Sequence, residues 1–429
     1  MTGLLDLVGG TPLVRLQHTA VHAKLEYLNP GGSVKDRAAL SMVLDAEASG
    51  ALRPGGTIVE GTSGNTGLGL AQVAAARGYR MVCVLPDKTA VEKLDALRAY
   101  GAEVVLTPSA LPREHPNHVM RYAQRIADDR PGGWRADQYD NPANPAVHFR
   151  TTGPEIWEAT EGRVTHFVAT IGTGGTISGT GRYLKEASGG RVRVIGADPV
   201  TSAYGGGDGS PFAVEAAGHY VHPQTADDLW PESYHRDVVD EIFSVPDRDS
   251  VHACRSLART EGLLVGGSSG TAFAVARQVT GDCVVVLLPD SGRAYLSKYH
   301  SDTWCRRQGF LDGDLDTFVS PVVTVPVGTP AAEAREALAS SGQPALPVVL
   351  AGRSDRFPPA AGEVLALLTA DELTGSGVVG PAPTPPVGVG VGETAADALA
   401  RVPDDASVFH VVRDGRLAGL VTRGALTRL

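Results

Sequence analysis

The chain has 429 residues, of which 42% are hydrophobic, and it carries a formal net charge of −10. This length is enough for a large core divided between two or three domains. The negative charge argues against nucleic acid or an anionic membrane as the main partner. No signal-peptide pattern opens the sequence and no apolar run is long enough to span a bilayer, so we expect a soluble, cytoplasmic protein.

The four cysteines are far apart in the sequence, at Cys83, Cys254, Cys283 and Cys305. No pair of them has the spacing of metal ligands, and a chain of this size does not need a disulfide framework. We therefore expect neither a metal site nor a disulfide framework.

Short apolar runs alternate with helical patterns over about the first 310 residues. Examples in chain order are "GTIVE" before "NTGLGLAQVAAARG", "RMVCVLP" before "AVEKLDALRAYG", and "HFVATI" before "ISGTGRYLKEA". Strands that are apolar throughout and alternate with helices predict an α/β fold with mainly parallel sheets.

The first unusual stretch is "NPGGSVKDRAAL", at residues 29–40. Pro30 stiffens the approach, and two glycines then leave open space in front of Lys35. Ser33 is a suitable N-cap for a helix predicted over 38–48. A lysine is not favoured at a helix N-terminus, which is already partly positive. Taken alone, the stretch is either a surface turn with a solvated lysine or a site that uses the amine.

A second unusual stretch is "EGTSGNTGLGLA", at residues 60–71, where a strand ends and a helix begins. Free backbone N–H groups at a helix start, together with small hydroxyls, form an anion site. The small polar residues exceed what a helix cap needs, so an anion site is favoured over a merely capped helix. The residues concerned are Thr62, Ser63, Asn65 and Thr66.

Two further glycine loops precede helical patterns. "GTGGTISG" (172–179) has neither the ending of a Walker loop nor the third glycine of a dinucleotide motif, because Ile177 stands there. Its N–H groups and the hydroxyls of Thr173 and Thr176 suit a single phosphate group as well as an ordinary turn. "GGSSGTA" (266–272) offers the hydroxyl of Ser268, although in isolation it is better explained as a glycine-rich cap.

Together these loops suit one ligand with a phosphate, a carboxylate-bearing partner, a ring that needs a hydroxyl, and a lysine. Pyridoxal phosphate with an amino acid satisfies all four requirements. Lys35 would then carry the cofactor, and the positive helix N-terminus would lower its pKa, which favours an attacking amine.

After Phe310 the sequence becomes richer in proline and glycine, and a repeat appears. "VTVPVGTPAAEA" (323–334) matches "VGVGVGETAADA" (387–398), and "ALLTADEL" resembles the later "GLVTRGAL". Two units of about sixty residues, each too small for a robust core, should pack against each other. We expect domains at residues 1–312, 318–377 and 378–429.

At the level of motifs, the sequence resembles the fold-type II pyridoxal phosphate enzymes, and within them the cystathionine β-synthase and cysteine synthase family. The matching stretches are "LVGGTPLVRL", "NPGGSVKDR", "TSGNTG", "DQYDNPANPAVHFRTTGPEIW", "GTGGT" and "VVLLPDSGRAYLSKYHSDTWCRRQGFL". The resemblance implies a tryptophan synthase β-like α/β catalytic domain with mainly parallel sheets. The C-terminal repeat resembles a tandem pair of CBS domains (a Bateman-like module), which favours cystathionine β-synthase.

The resemblance also implies residue roles. Lys35 matches the Schiff-base lysine and proton shuttle, and Asn65 matches the residue that bonds the cofactor's phenolate oxygen. Ser268 matches the hydroxyl that bonds the pyridine nitrogen, and a neutral serine there favours β-elimination. Tyr139 either lines the pocket of the second substrate or is a buried tyrosine at the end of a strand. The remaining residues form two groups: Gly172, Thr173, Gly174, Gly175 and Thr176 for the phosphate, and Thr62, Ser63, Asn65, Thr66 and Gln138 for the amino acid's carboxylate.

Two features depart from the family pattern. The catalytic pattern starts almost at Met1, without the N-terminal extension of animal members, so we predict no haem. "VEAAGHYVHP" (214–223) differs from the usual glycine-rich loop with an Ile-Pro ending, and "AYGGGDGSPF" (203–212) is unusual as well. Both are expected near the mouth of the active site, and they leave the identity of the nucleophile open.

The activity implied by the resemblance is β-replacement on L-serine by a thiol, with homocysteine favoured and cystathionine as product. An alternative is a cysteine synthase-like reaction of O-acetylserine or O-phosphoserine with sulfide or an amine. A dehydratase is less favoured. A non-enzymatic alternative is a ligand-sensing protein with an inactive front domain, against which the intact Lys35, Asn65 and Ser268 argue.

The C-terminal pair departs from its family at two slots. CBS repeats typically end with Thr, two residues and Asp, whose carboxylate can hold a ribose. Glu372 occupies the first slot and Ala425 the second. We therefore expect weak or absent binding of an adenosyl ligand, with the pair acting in assembly or as a brace on the catalytic domain. The protein is expected to form a homodimer or higher homo-oligomer.

Overall fold

The computed structural model describes residues 3–62, 64–109, 111–353, 356–374 and 376–429. The chain forms two compact units, one of Met1–Gly207 with Val214–Tyr299 and the other of Asp208–Ala213 with His300–Leu429. The domain boundaries predicted from the sequence, at residues 312, 318 and 377, stay predictions.

The first unit contains two sheets. Its strands are β1 (Leu13–Arg15), β2 (Val21–Leu25), β3 (Thr57–Gly61), β4 (Arg80–Pro86), β5 (Glu103–Thr107), β6 (Gly133–Arg135), β7 (His166–Thr170), β8 (Arg193–Pro199), β9 (Glu241–Val245) and β10 (Val284–Leu288). One sheet has the order β1-β2-β10-β7-β8-β9 and the other β5-β4-β3-β6. All pairs are parallel except β1 with β2, so the predicted mainly parallel α/β fold is confirmed.

Helices follow most of these strands. They are α1 (Lys35–Ser49), α2 (Asn65–Arg77), α3 (Val91–Ala99), α4 (Val119–Asp129), α5 (Ala143–Arg150), α6 (Thr152–Ala159), α7 (Gly175–Ser188), α8 (Asp247–Ser256) and α9 (Gly267–Ala276), with a π-helical turn over Leu257–Glu261. Strands β3 and β10 are buried along their whole length because they lie inside their sheets and helices cover the faces. Short 3₁₀ turns complete the unit at Leu4–Leu7, Glu26–Leu28, Arg236–Val238 and Gly292–Tyr295.

Three helices begin at or beside the carboxyl end of a parallel strand. Parallel strands β3 and β7 run directly into the turns before α2 and α7, and β10 ends beside the turn before α1. In open parallel sheets, ligands bind outside the carboxyl ends of the strands. Three of the four loops singled out by the sequence therefore lie where such a fold binds its ligand.

The second unit contains the same order of elements twice, strand–helix–strand–strand. The first copy has β11 (Val325–Pro326), α11 (Ala331–Ser341), β12 (Leu346–Val349) and β13 (Val364–Leu368). The second has β14 (Gly388–Gly390), α12 (Ala395–Leu399), β15 (Val408–Arg413) and β16 (Arg416–Thr422). In each copy the first strand pairs parallel to the second and the second antiparallel to the third. Helices α10 (Asp302–Arg307) and α13 (Arg423–Leu426) and 3₁₀ turns at Asp314–Phe318 and Ala361–Glu363 complete the unit.

All four cysteines are buried free thiols. Within the described ranges, no helix combines the length and the apolar character that crossing a bilayer requires.

Candidate active site

Lys35 is the first residue of helix α1, and the turn before it is fixed to the segment after strand β10. The Val34 N–H donates to the carbonyl of Pro289 at 2.8 Å, and Ser33 forms a backbone bridge with Asp290. This pairing determines where the helix begins, three residues before the predicted start. The Ser33 hydroxyl accepts from the Lys35 N–H at 3.2 Å, whereas the residue that flanks the helix is Val34 and not the predicted Ser33.

The two glycines of the turn have separate structural reasons. Gly32 has φ of +86°, which side-chain-bearing residues rarely adopt. At Gly31, an added Cβ would lie 2.5 Å from Gln72 Oε1 and 2.6 Å from Asp36 Oδ1. The glycines therefore let the chain pass over a buried polar pair and deliver Lys35 to the site, which answers the question raised by the sequence.

The environment of the Lys35 amine favours its neutral form. Burial lowers the pKa of Lys35 to about 8, while the negative charge of Asp290 acts in the opposite direction. A free lysine titrates near 10.4, so the buried amine is neutral at a pH more than two units lower. Such an amine can act as a nucleophile or as a proton acceptor near neutral pH.

The loop before α2 contains Thr62, and Thr66 follows in the first turn of the helix, beside Gln138. The Thr62 hydroxyl accepts from the Gly64 N–H at 3.0 Å, and the Thr66 hydroxyl donates to Gln138 Oε1. Thr62, Thr66 and Gln138 are all at most 4% exposed. Their proximity agrees with a common role in holding one small group. Ser63, predicted for the same role, lies outside the described residues.

The segment that carries Gln138 and Tyr139 is bonded to a buried carboxyl group. Glu60, at the end of β3, accepts from the N–H groups of Asp137 and Gln138 at 2.8 and 3.2 Å, and burial raises its pKa to about 8. Burial also raises the pKa of Tyr139 to about 12. The Tyr139 hydroxyl therefore stays protonated near neutral pH.

The loop before α7 forms a cup of backbone groups. Gly174 has φ of +85°, and helix α7 begins at Gly175. The first N–H groups of a helix have no partner within it and carry its positive end, so they attract an anion. The Thr173 hydroxyl accepts from Asn144 Nδ2 at 3.1 Å, and Thr176 Oγ1 lies 3.2 Å from His148 Nε2. Both hydroxyls thus have fixed positions beside the cup.

Two buried residues that the sequence analysis did not single out shape this cup. An added Cβ on Gly175 would lie 2.2 Å from Asn144 Oδ1, so α5 and α7 can approach only because Gly175 has no side chain. His148 is fully buried, and burial followed by the charges of Arg37 and Lys35 holds its pKa well below the usual range. A neutral His148 adds no second charge to the site.

Ser268 lies at the start of α9 and is fully buried. Its Oγ is 3.5 Å from Asp290 Oδ1, and the other oxygen of Asp290 accepts from Asn65 Nδ2 at 2.7 Å. The structure therefore brings the two predicted ring-binding residues, Asn65 and Ser268, to opposite oxygens of one carboxylate.

A cavity connects these elements. Six predicted cofactor residues line it, Gly175 directly follows the lining residue Gly174, and Ser268 lies 3.5 Å from Asp290. The lining consists of Val34, Lys35, Asn65, Thr170, Gly172, Thr173, Gly174, Thr176, Ala216, Leu287 and Pro289.

The lining includes one residue of the unusual loop at 214–223. Ala216 has φ of +64°, and its carbonyl lies 2.9 Å from where a Cβ of Gly172 would be. The neighbouring Gly218 N–H donates to the carbonyl of Ile171 at 2.6 Å. This loop is thus bonded to the end of β7 and forms one wall of the cavity.

These residues fit pyridoxal phosphate. The cup offers helix N–H groups and two hydroxyls for a phosphate, and its shape depends on Gly174 and Gly175, where a Cβ would clash with Tyr234 and Asn144. Lys35 also lines the cavity, and its burial makes its amine easier to deprotonate. Lys35 would hold the aldehyde carbon, the cup the phosphate, and Asn65 and Ser268 the ring.

Comparison with known proteins gives the same family. Residues 4–290 match the family described as "Pyridoxal-phosphate dependent enzyme". The cystathionine beta-synthase of Apis mellifera is 42% identical over 324 residues, which cover 72% of this chain and 64% of that protein. The corresponding values are 42% over 331 residues (73% and 57%) for the Rattus norvegicus enzyme and 39% over 340 residues (73% and 65%) for that of Saccharomyces cerevisiae.

A solved structure is similar as well. The crystal structure of O-ureido-L-serine synthase is 41% identical, covers 70% of this chain and 94% of that one, and superposes with a TM-score of 0.63. The chain belongs to the family of pyridoxal-phosphate dependent enzymes. It spans less than two thirds of the length of the three cystathionine beta-synthases that it matches.

The cup allows a direct test with Gly174→Ala. The new Cβ would lie 2.4 Å from the Cβ and 2.5 Å from the Cα of Tyr234, in a left-handed conformation that costs a further 1–2 kcal/mol or so. We expect pyridoxal phosphate to bind at least ~10-fold more weakly, measured by titration of the apoprotein. Gly190→Ala is the matched control, because Gly190 has φ of +81° but open space around it. Equal affinity in the two variants would contradict the assignment of the cup.

Proposed function

We propose that this chain catalyses pyridoxal phosphate-dependent β-replacement, joining L-serine to L-homocysteine to give L-cystathionine. The observation that carries the proposal is the arrangement around Lys35. The amine, whose pKa burial lowers to about 8, lies in one cavity with the anion cup at Gly172–Thr176, and the polar group Thr62, Thr66 and Gln138 lies in the same unit.

When bound, pyridoxal phosphate supplies an electron sink that stabilises negative charge at Cα of an amino acid. The chain's own groups do the rest. Lys35 Nζ takes the proton from Cα, since the neutral amine is accessible at moderate pH, and later returns it. Thr62, Thr66 and Gln138 bind the carboxylate of the amino acid and fix the Cα–H bond toward Lys35.

The second substrate must reach the β-carbon while water stays out. The wall formed by the 214–218 segment is bonded to β7 through Gly218 and reaches the cavity at Ala216. Tyr139, next to Gln138, is the proposed contact for the second substrate, and its protonated hydroxyl can donate a hydrogen bond. Closure of such walls excludes water from reactive species.

Two observations support serine and homocysteine as substrates. Cystathionine beta-synthases from an insect, a mammal and a yeast are 39–42% identical over most of this chain. The segment "VVLLPDSGRAYLSKYHSDTW" also resembles cystathionine β-synthase more than cysteine synthases.

A second candidate function is favoured by the structural neighbour, whose title names O-ureido-L-serine synthase and which is 41% identical over nearly its whole length. In this alternative, an activated serine such as O-acetylserine or O-phosphoserine accepts an oxygen, nitrogen or sulfide nucleophile. By the atoms of its product, the nucleophile for an O-ureido-L-serine would be hydroxyurea. The unusual loop at 214–223, which reaches the cavity at Ala216, is where the two candidates would differ.

A steady-state panel distinguishes the candidates. The holoenzyme is assayed with serine, O-acetylserine and O-phosphoserine against homocysteine, sulfide, hydroxyurea and a small amine, with products identified by mass spectrometry. We expect the highest kcat/KM for serine with homocysteine. A preference of more than about tenfold, or ~1.4 kcal/mol, for an activated serine with another nucleophile would support the alternative and contradict the first proposal.

For the C-terminal repeats we propose weak or absent binding of adenosyl ligands. Glu372 Oε2 already accepts from the N–H and the hydroxyl of Thr369, both at 2.8 Å. Ala425 offers no side-chain acceptor. A lost hydrogen bond to a buried polar group costs on the order of 1–3 kcal/mol, or roughly tenfold to a hundredfold in affinity.

Calorimetry with S-adenosylmethionine and ATP, together with activity in their presence, tests this prediction. We expect no saturable heat at micromolar concentrations and no change in rate. Micromolar affinity with a several-fold activation would contradict it. The assignment of the repeats as CBS domains and the expected homo-oligomeric state stay predictions.

A further inference from the structure

Asp290 is a buried carboxylate whose role the family resemblance does not assign. It follows β10 directly after Pro289, and it is 1% exposed. Its Oδ1 lies 2.3 Å from where a Cβ of Gly266 would be, so a side chain at Gly266 would displace it. A charged group this deep requires partners, because an unpaired buried carboxylate is very costly.

Those partners include both residues expected to hold the cofactor ring. Oδ2 accepts from Asn65 Nδ2 at 2.7 Å and from the Tyr295 hydroxyl, and Oδ1 lies 3.5 Å from Ser268 Oγ. Asn65 and Ser268 belong to different loops, and Asp290 is the group that touches both.

An ionised carboxylate only accepts hydrogen bonds, and this fixes the neighbouring amide. Asn65 must turn its NH₂ group toward Asp290, which leaves the second N–H of that group as the donor for another ligand. Ser268 Oγ lies 3.5 Å from Asp290 Oδ1, too far for a normal O–H···O hydrogen bond, so its hydrogen stays available for the ring nitrogen. A neutral residue at 290 would not impose the orientation of Asn65.

Burial raises the pKa of Asp290 above its usual value, and a chain of buried groups opposes that rise. The charge of Lys93 and the hydrogen bonds from Tyr295 and Asn65 act in this opposing direction. Lys93 Nζ lies 2.8 Å from the Tyr295 hydroxyl and 2.9 Å from Glu215 Oε2. Glu215 belongs to the wall loop, so the carboxylate is connected to the loop that reaches the cavity at Ala216.

We propose that Asp290, held by Tyr295, is a positioning residue that fixes the Asn65 amide in the orientation that donates to the cofactor ring. This inference rests on the family's cofactor and on the predicted role of Asn65. It does not depend on which amino acid or nucleophile is used.

The test is Asp290→Asn, which keeps the size of the side chain but removes its charge. We expect pyridoxal phosphate to bind the apoprotein at least ~10-fold more weakly. In the apoprotein, the pH midpoint for acetylation of Lys35, followed by peptide mass spectrometry, should fall below the wild-type value, because Asp290 favours the ammonium form of Lys35. A carboxyl group that is already neutral in the native protein would leave this midpoint unchanged.

Asp198→Asn is the matched control, since Asp198 is a fully buried carboxylate of the same sheet that touches neither Asn65 nor Ser268. It should change the affinity for pyridoxal phosphate by no more than about threefold. It should change the pH midpoint for acetylation of Lys35 by no more than the corresponding ~0.5 unit. Wild-type affinity and midpoint in Asp290→Asn would overturn the inference.

If Asp290→Asn does not fold, Tyr295→Phe tests the positioning role of Asp290. Loss of one donor should loosen the carboxylate and weaken cofactor binding several-fold, and unchanged affinity would overturn the inference. Failure of the wild-type chain to bind pyridoxal phosphate would overturn the proposed function as well. Normal binding without turnover of serine would overturn only the proposed function.

Discussion

Lys35→Ala should lower turnover at least ~10³-fold while the protein stays folded. General acid–base catalysis alone is worth about 10²–10⁴-fold, and the same amine also carries the cofactor. The fold should tolerate the change, because the native environment already disfavours the charged amine. The measurement is kcat/KM for each substrate pair, with circular dichroism as the check on folding.

Lys185→Ala is the matched control for this variant. Lys185 lies on the same catalytic unit but forms an ion pair with Asp240, with its side chain 26% exposed. It should retain wild-type kinetics within about twofold. Near-wild-type turnover in Lys35→Ala would refute the proposed site as a whole.

The lowered pKa of Lys35 also predicts a pH dependence of apoprotein stability. Between about pH 8 and the unfolded value near 10.4, the unfolded chain binds more protons than the native chain. The contribution of Lys35 to the free energy of unfolding therefore rises with pH through this window. Lys35→Ala should lack this part of the rise in urea unfolding curves.

Arg37→Met should lower the free energy of unfolding by about 3–5 kcal/mol, more than any other substitution considered. Arg37 is fully buried, and it donates to Glu26 at 2.8 Å and to Glu155 at 2.6 Å, with Lys24 also on Glu155. Glu26 is 0% exposed, so removal of the guanidinium leaves a carboxylate without its charged partner. The measurement is the free energy of unfolding in urea at neutral pH.

The matched control is Arg77→Met, which breaks the exposed ion pair of Arg77 with Glu47. Such a pair is worth about 0–1 kcal/mol, so this variant should lose no more than that. Similar losses in the two variants would contradict the role given to the buried network.

The ion-pair network around Arg37 should lose stability at low pH. Burial alone would raise the pKa of Glu155, but the hydrogen bonds and charges of Arg37 and Lys24 lower it to about 2. The native carboxylate thus loses its proton at a lower pH than in the unfolded chain, where it titrates near 4.3. The stability it contributes is complete above that value and is lost as pH falls toward 2.

The sequence was most informative where chemistry depends on local backbone geometry. A turn of glycines before a helix start is a short-range pattern, and the positions of Lys35, Asn65 and Gly172–Thr176 around one cavity followed from three such patterns. Parallel sheets could also be predicted, since strands such as "VVVLL" are apolar on both faces.

The remaining features depend on contacts between distant parts of the chain. Asn65 and Asp290 are 225 residues apart, and Lys93 and Tyr295 are 202 apart. No local pattern predicts such pairs, although a polar residue directly after an apolar strand was a signal available at Asp290. The N-cap expected at Ser33 was wrong for the same reason, because pairing with the segment after β10 determines where α1 begins.

The central claim is that Lys35 carries pyridoxal phosphate. The most direct measurement is borohydride reduction of the purified protein after incubation with the cofactor, followed by peptide mass spectrometry. The claim predicts a pyridoxyl phosphate mass on the peptide that contains Lys35 and loss of the visible absorbance. A modification on another lysine, or no stable modification at all, would contradict it.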